Sequence, residues 1–428
     1  MKIALIGSRG IPARYSGFEQ FYEQFAVRLA ERGHEVTVYN RSHFIKDVKK
    51  EYKGVRIVSL PSVPTKHLDT ITHTALSSLH ALFQGYDIVY YCIVGNSPLC
   101  WIPRMVGAKT LINVDGADWA RDKWSGFAKT YQKWCERVAC ACANAMVADA
   151  KGILERYRKL YDHETIFVPY GANIRTDLRA DPNVAQSAEI RDQRSNIKDQ
   201  RSDSEGQSSD LGPLSSDLCL LTALKKWNLS PDGYIFYVGR FVPENAIDLL
   251  IRSFKKLKTD KKLVIVGDAP YADEFKKSLH ELAGDDDRIV FTGYAFGDDY
   301  AQLSANAYFY VQPAGIDGTR PALLDQMGFG NCVLVRNSTV NMEVIGDCGC
   351  FFDKERLEES LVEVMQDLVE HPEKAKGFRA KVTSRIENYY NWEWVTSFYE
   401  DLFQRLKEKR PLAQYDEYVA DKVSAQNV

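Results

Sequence analysis

A chain of 428 residues, 45% of them hydrophobic, is long enough to bury two ordinary cores. Its formal net charge of −3 argues against a general nucleic-acid binder, so any basic surface has to be local. Nine cysteines without a paired CxxC spacing argue against a disulfide framework or a structural metal, and no apolar run approaches a membrane span.

The start, MKIALIGSRG, reads as a short strand followed by glycine and not as a signal sequence, which predicts a cytoplasmic protein. KIALIG leads through the loop GSRGIPARYSGFEQF into a helix expected over Phe18 to Glu31. By position this loop approaches a phosphate or a sugar, because turns after the first strand of a doubly wound sheet sit at the ligand crevice. A dinucleotide fingerprint is missing: there is no GxGxxG, and the next strand, EVTVYN, ends on Asn40 instead of a carboxylate. VRIVSL, DIVYYCIV, KTLINVDG, AMVAD and TIFVPYG continue the strand series. Between them His73 and His80 fall where they can share one helix face, a weak metal signal.

At the end of KTLINVDG, the stretch NVDGADWARDKW concentrates Asp115, Asp118, Trp119, Arg121 and Lys123 where such folds bind ligands. An aspartate capping the next turn is the plainer reading of Asp115. The helix that follows carries Lys129, Lys133 and Arg137 at four-residue intervals, offset from Phe127, Tyr131, Trp134 and Val138. That stripe is either a solvated face over a core face or a contact with an anionic membrane. Cys135, Cys140 and Cys142 on the same helix read as small packing residues.

Residues 176–218 are polar and aromatic-free and contain IRDQRSN followed at once by IKDQRSD. Such a segment cannot bury enough apolar surface to offset chain entropy, and it is expected to be a disordered linker between two domains. Beyond it YIFYVG, KLVIVGD, IVFTGY, YFYVQP, CVLVR and CGCFF repeat the strand and helix alternation, the pattern of parallel sheets with helices on both faces. YVGRFVPENAIDLL offers Arg240, a permanent cationic fork matched to phosphate oxygens. In IDGTRPALLDQMGFGNCVLV a glycine-bearing loop enters a helix at Pro321, bracketed by Asp317 and Asp325. Backbone amides at such a helix start suit a nucleotide diphosphate, although ordinary capping accounts for acid and glycine there as well. NWEWVTSFYEDLFQRL near the end reads as an amphipathic helix.

Asp317 and Asp325 stand with seven residues between them, and this segment resembles the retaining glycosyltransferases of family 4, which carry two glutamates at that spacing. The chain is most similar to the rhamnosyltransferase-type branch of polysaccharide assembly. That branch has a GGT-x-PxLLE motif, matched by Asp317, Gly318, Thr319, Pro321, Leu323, Leu324 and Asp325, and a G-x-RG-IPA-x-x-GGFE loop, in which Ser16 replaces one glycine. The resemblance implies an α/β chain of GT-B architecture: two Rossmann-like doubly wound domains facing a central cleft, with a C-terminal helix crossing back to the N-terminal domain. The corresponding boundaries are 1–175 for the acceptor side, 176–218 for the linker or insertion, 219–391 for the nucleotide-sugar domain and 392–428 for the crossover helix and tail.

The implied activity is that of a retaining hexosyltransferase moving a sugar, rhamnose being one candidate, from a nucleotide sugar to a polysaccharide or lipid-linked oligosaccharide. By this resemblance Asp115 and Asp317 are catalytic. Gly10, Arg14, Gly17, Arg240, Gly318, Thr319, Arg320 and Asp325 bind the donor, and Asp118, Trp119 and Arg121 lie on the acceptor and sugar side. The family often has a lysine five positions after Arg240; this chain has Asn245, and Arg320 is the candidate to replace the missing charge. No cofactor or metal is expected, and membrane contact through Lys129, Lys133 and Arg137 would put the protein at the inner face of the plasma membrane. Three rivals stay open: a non-catalytic nucleotide-sugar-binding protein of the same fold, a nucleotide-sugar epimerase and a dehydrogenase.

Overall fold

The computed structural model describes residues 1–13, 17–45, 50–65, 68–114, 126–180, 222–269, 272–315 and 318–426. The chain divides into two compact units, the first of residues 1–171, 317–321 and 388–428, the second of 172–316 and 322–387.

In the first unit the strands are β1 (Lys2–Ile6), β2 (Glu35–Arg41), β3 (Glu51–Tyr52), β4 (Val55–Leu60), β5 (Ile88–Tyr91), β6 (Lys109–Asn113), β7 (Ala145–Ala148) and β8 (Ile166–Phe167). They line up as β3-β4-β2-β1-β5-β6-β7-β8. All neighbours are parallel except β3 and β4, an antiparallel hairpin turned by Lys53 and Gly54, both at positive φ. Central strands such as ALI and VYY are buried on both faces, which is why they appear as unbroken apolar runs. Helices α1 (Gly17–Glu31), α2 (Asp69–Ala81), α3 (Trp101–Arg104), α4 (Gly126–Cys142) and α5 (Lys151–Tyr161) alternate with them. The order reverses between β1 and β5, so the loops leaving those strands flank a switch point, where open α/β sheets take their ligands.

The second unit repeats the scheme with β9 (Tyr234–Val238), β10 (Lys262–Val266), β11 (Ile289–Gly293), β12 (Phe309–Gln312), β13 (Val333–Arg336) and β14 (Cys350–Phe352). Their order is β11-β10-β9-β12-β13-β14, all parallel, with the switch point between β9 and β12. The helices are α6 (Thr222–Lys226), α7 (Ile247–Lys255), α8 (Asp273–Ala283), α9 (Gly297–Ala305), α10 (Pro321–Gly328), α11 (Thr339–Ile345), α12 (Leu357–Glu370) and α13 (Pro372–Tyr389). Ile235, Leu250, Phe254, Leu263, Phe309 and Leu361 are among the residues closing its core.

Two further helices, α14 (Trp392–Glu408) and α15 (Tyr415–Gln426), return the chain to the first unit, as the resemblance implies. Trp392 stacks on Phe21 of α1 at 5.7 Å, the rings of Phe25 and Tyr399 lie 4.7 Å apart, and Arg32 pairs with Glu393 and Glu400.

Only the first residues of the polar segment, 176–180, fall within the described residues. Passage between the units falls at residues 171 and 172, and 176–180 already belong to the second. Arg179 donates to the carbonyls of Ala305 and Ala307 at 2.8 and 2.9 Å and pairs with Asp232, while the Ala180 amide donates to Asn306 Oδ1 at 2.9 Å. On the far side the Ala223 amide donates to Gln302 Oε1 at 3.0 Å. Residues 181–221 lie outside the described residues; the described flanks on either side are both held at α9.

Candidate functional site

At the switch point of the second unit, β9 runs out into Gly239 and Arg240. The Gly239 amide donates to Val266 O at 3.0 Å, and Gly267, at φ +133°, has its α-carbon so close that a Cβ there would lie 1.9 Å from the Gly239 carbonyl oxygen. Two backbones therefore cross without room for a side chain, which fixes the height at which the following residue leaves the sheet. Buried Asn245 adds a second restraint, donating from Nδ2 to the Arg240 carbonyl at 2.6 Å. The Arg240 side chain is exposed and makes no ion pair among the described residues. Asn245, read from sequence as a missing positive charge, thus holds the backbone from which the remaining one projects.

On the other side of that switch point, α10 starts at Pro321, whose missing amide proton costs nothing in a first turn. Asp325 lies half-buried on it, and the Tyr300 hydroxyl on α9 donates to its Oδ2 at 3.4 Å. Burial, and then the neighbouring Asp325 carboxylate, push the Tyr300 phenol well above its ordinary pKa, so it stays a donor. Gln326 Nε2 reaches the same hydroxyl at 3.3 Å and Ser304 Oγ at 2.9 Å, and its Oε1 accepts from Asn331 Nδ2 at 2.8 Å. Tyr300 was not among the sequence candidates; nothing in GDDYAQLSA separates it from a packing tyrosine.

In the first unit, Gly10 lies at φ +114° and a Cβ there would fall 2.1 Å from Asn40 Oδ1. Asn40, at the end of β2, clamps the loop at both polar groups of Ile11: Oδ1 accepts its amide at 3.0 Å and Nδ2 donates to its carbonyl at 2.7 Å. Where a dinucleotide enzyme has a carboxylate for a ribose, this chain spends an amide on its own backbone. The adjoining Arg41 is buried, pairs with Asp69 at 2.6 Å and reaches the Gly7 carbonyl at 3.3 Å.

Gly17 opens α1 against Pro321, whose Cγ would sit 2.8 Å from a Cβ at Gly17. Thr319 Oγ1 donates to the carbonyl of Asp149 at 2.6 Å, and both carboxylate oxygens of Asp149 lie 4.0 Å from the Cβ position of Gly318. Residues 318–321 are thereby seated in the first unit between the start of α1 and the end of β7. This brings Gly17, Gly318 and Thr319 together and leaves Arg320 half-buried beside them. Asp149 follows β7 directly and is buried; AMVAD had been read only as a strand. Arg14, Asp115, Asp118, Trp119, Arg121 and Asp317 lie outside the described residues.

The two histidines make contacts within the fold. His73 is buried and hydrogen-bonds the Asn40 carbonyl through Nε2 at 3.1 Å, and His80 meets the Tyr39 hydroxyl at 2.8 Å. Burial, then the charge of Arg41, pull the His73 pKa down to about 4. On α4, Lys133 and Arg137 are exposed and Lys129 half-buried, while Gln132, Cys135, Glu136 and Ala139 face inward. No described helix is long and apolar enough to cross a membrane.

Comparison with known proteins supplies a family context for these placements. Residues 232–371 match the family described as Glycosyl transferases group 1, and residues 96–173 match a Domain of unknown function (DUF1972). Among curated proteins, the O-antigen chain mannosyltransferase B of Escherichia coli is 28% identical over 152 residues, covering 35% of this chain and 40% of that protein. The sulfoquinovosyl transferase of Arabidopsis thaliana is 23% identical over 38% of this chain and 31% of its own length. The matched stretches thus span less than half of these relatives.

Solved structures align over nearly the whole chain. A sucrose-phosphate synthase from Thermosynechococcus elongatus gives a TM-score of 0.73 at 16% identity, covering 95% of this chain and 98% of its own. HepE of Anabaena, crystallised with UDP and glucose, gives 0.69 at 14% identity over 94% and 98%. These likenesses show the fold: two α/β domains with parallel sheets, of the GT-B type.

Proposed function

We propose that the chain is a retaining glycosyltransferase that moves a sugar from a nucleotide-activated donor to a polysaccharide or lipid-linked oligosaccharide acceptor, with rhamnose the first sugar to try. What carries this reading is the switch point of the second unit. There an exposed guanidinium with a pinned backbone, Arg240, stands on one side and a tyrosine-held carboxylate, Asp325, on the other, both inside the stretch that matches the group 1 family. HepE was crystallised with UDP and glucose, and the curated relatives are named for sugar transfer, one of them for an O-antigen chain.

In this reading Asp325 accepts hydrogen bonds from the ribose hydroxyls. Arg240, Arg320 and the amides near Gly318 and Thr319 neutralise the diphosphate. The bond between the anomeric carbon and the diphosphate oxygen breaks, and the acceptor oxygen bonds to that carbon from the same face. The acceptor proton passes to the departing diphosphate. Asp115 and Asp317 orient the sugar, with Asp118, Trp119 and Arg121 on the acceptor side, and the loop that carries Gly10, Arg14 and Gly17 faces the donor or acceptor. Positive side chains and amides supply the leaving-group stabilisation that a metal gives elsewhere, so the reaction is expected to run without one. The protein would work in the cytoplasm against the inner face of the plasma membrane.

The test is isothermal titration with a panel of nucleotide sugars, followed by initial rates. Arg240→Ala and Asp325→Ala should each weaken donor binding by about 1.5–3 kcal/mol, the range of charge-assisted hydrogen bonds. Asp115→Ala should leave binding intact and depress turnover. Normal turnover by Asp115→Ala would remove it from the reaction. A parent that binds donor yet transfers to no acceptor would favour a non-catalytic binding protein, the reading to which the aspartates at 317 and 325 lend support. Isomerised donor formed without acceptor would point to an epimerase.

A further inference from the structure

The first unit carries an apolar surface that the transfer reaction does not use. On α2 and the turn after it, Leu76, Leu79 and Phe83 recur at spacings of three and four and share one helix face, opposite the buried His73, Thr74, Ser77 and Ser78. Beside α2 packs the short α3, which begins at Trp101 and is followed by Met105 and Val106. These six side chains are between 41% and 84% exposed. Single exposed apolar residues need no explanation, but large ones grouped on neighbouring helices mark an interaction surface.

The two acids that flank this stretch are already paired, Asp69 with Arg41 at 2.6 Å and Asp87 with Lys407 at 2.9 Å. No aspartate or glutamate occurs in residues 70–86 or 88–114, and the cations there are Arg104 and Lys109. Arg104 is exposed and tied to the end of α4 by a hydrogen bond from Nη1 to the Cys142 carbonyl at 2.5 Å. A second copy docking through the same face would offer the exposed Arg104 no acid that is not already paired, since Asp69 is held by Arg41 and Asp87 by Lys407. An anionic bilayer presents the complementary combination, negative headgroups above an apolar layer, and tryptophan and arginine are the side chains that bridge the two.

We propose that the α2–α3 face is a membrane-docking surface, lying on an anionic bilayer with Leu79, Phe83, Met105 and Val106 in the interface, Trp101 at its border and Arg104 among the headgroups. This surface is distinct from the Lys129, Lys133 and Arg137 stripe of α4. The inference rests on the proposed transfer to a lipid-linked acceptor only for the reason a bilayer is needed. The docking itself requires neither donor nor acceptor.

The full-length protein is sedimented with vesicles of equal parts phosphatidylglycerol and phosphatidylcholine, and with phosphatidylcholine alone. The parent should partition onto the anionic vesicles and more weakly onto the neutral ones. A triple variant, Leu79→Gln with Phe83→Gln and Met105→Gln, changes exposed side chains only and should lose at least about tenfold in partition while melting as the parent does. In brominated lipid, the parent's tryptophan fluorescence should be quenched, and Trp101→Phe should remove most of that quenching. The proposal is overturned if the parent stays in the supernatant, if the triple variant binds as the parent does, or if binding is lost only when Lys129, Lys133 and Arg137 are changed to Gln. Turnover on a soluble acceptor analogue, measured separately, reports on the transfer reading whichever way the vesicles decide.

Discussion

The two units wind their central strands in the same order, yet they secure the loops at their switch points by different physics. In the first, buried polar side chains do it: Asn40 grips Ile11, and Arg41 reaches from Asp69 to Gly7. In the second, Gly239 and Gly267 cross at backbone contact and a single amide, Asn245, finishes the loop. The first solution uses its charged group inside the protein. The second leaves one, Arg240, projecting outward. A shared topology therefore says where a ligand can sit, and the manner of loop fixation says which loop has chemistry to offer it.

The sharpest way to break this comparison is to put a methyl group at each kind of glycine. Gly267→Ala would place its Cβ 1.9 Å from the Gly239 carbonyl oxygen at φ +133°, backbone against backbone with nothing flexible to yield. A loss of about 4 kcal/mol is expected, near the upper end for one substitution. Gly33→Ala in the first unit, at φ +85° with nothing within 4 Å, should cost only about 1 kcal/mol for its backbone conformation. Urea unfolding of both variants checks the contrast; equal losses would show that the crossing is not tight.

The polar solution should reveal itself through pH. His73 lies beneath the Asn40 end of β2, with Arg41, Asp69 and His43 as its charged and titratable neighbours, and its pKa falls from 6.5 to about 4. Above pH 6.5 the imidazole is neutral in both folded and unfolded chains. As pH falls below that value the unfolded chain takes up the proton first, so stability declines until the folded form titrates near pH 4, by about 3 kcal/mol in all. His73→Gln, which keeps a donor for the Asn40 carbonyl, should flatten that part of the stability profile. A profile unchanged by the substitution would mean that the burial of His73 does not govern the acid limb.

How much of this was legible in the sequence depended on whether a residue's role is set locally. Parallel strands buried on both faces must be unbroken apolar runs, so KIALIG, YIFYVG and their counterparts declared themselves, whereas β3 is two polar residues made into a strand only by the Lys53–Gly54 turn. Arg240 stood out because glycine and arginine after a strand are a local signal. Tyr300 and Asp149 did not, since each acquires its role by meeting a residue far away in the chain, Asp325 and Thr319. Asn245 differs in that its partner is only five residues away, yet composition records the missing lysine and not the Arg240 carbonyl that the amide holds.

A smaller effect tests the clamp itself. Asn40→Ala leaves the Ile11 amide and carbonyl without their partner in a buried place, and a loss of about 2 kcal/mol is expected from unmade hydrogen bonds of this kind. Asn245→Ala removes the bond to the Arg240 carbonyl and should cost about half as much while weakening nucleotide binding through the freed arginine. If Asn40→Ala instead lowered donor affinity without changing stability, the loop after β1 would be a binding loop kept loose, and the distinction between the two units would fail.

The smallest effect belongs to the insertion, whose polar composition marks it as outside any core but is silent about where its ends attach. They attach together: Ala180 bonds to Asn306 at 2.9 Å and Ala223 to Gln302 at 3.0 Å, partners four residues apart and so separated by roughly 6 Å along a helix axis. A handful of Gly and Ser residues can span that gap. Replacing residues 182–220 with such a bridge keeps both anchors. Because each halving of a flexible loop recovers only about 0.6 kcal/mol of closure entropy, the shortened protein should be as stable as the parent or better by about 1 kcal/mol. Thermal melting and initial transfer rates are the measurements, with rates expected within about tenfold of the parent, or about 1.4 kcal/mol in barrier. A larger fall in rate at unchanged stability would give the insertion a part in the reaction. Loss of soluble protein would mean that α9 needs more from it than the two hydrogen bonds at its ends.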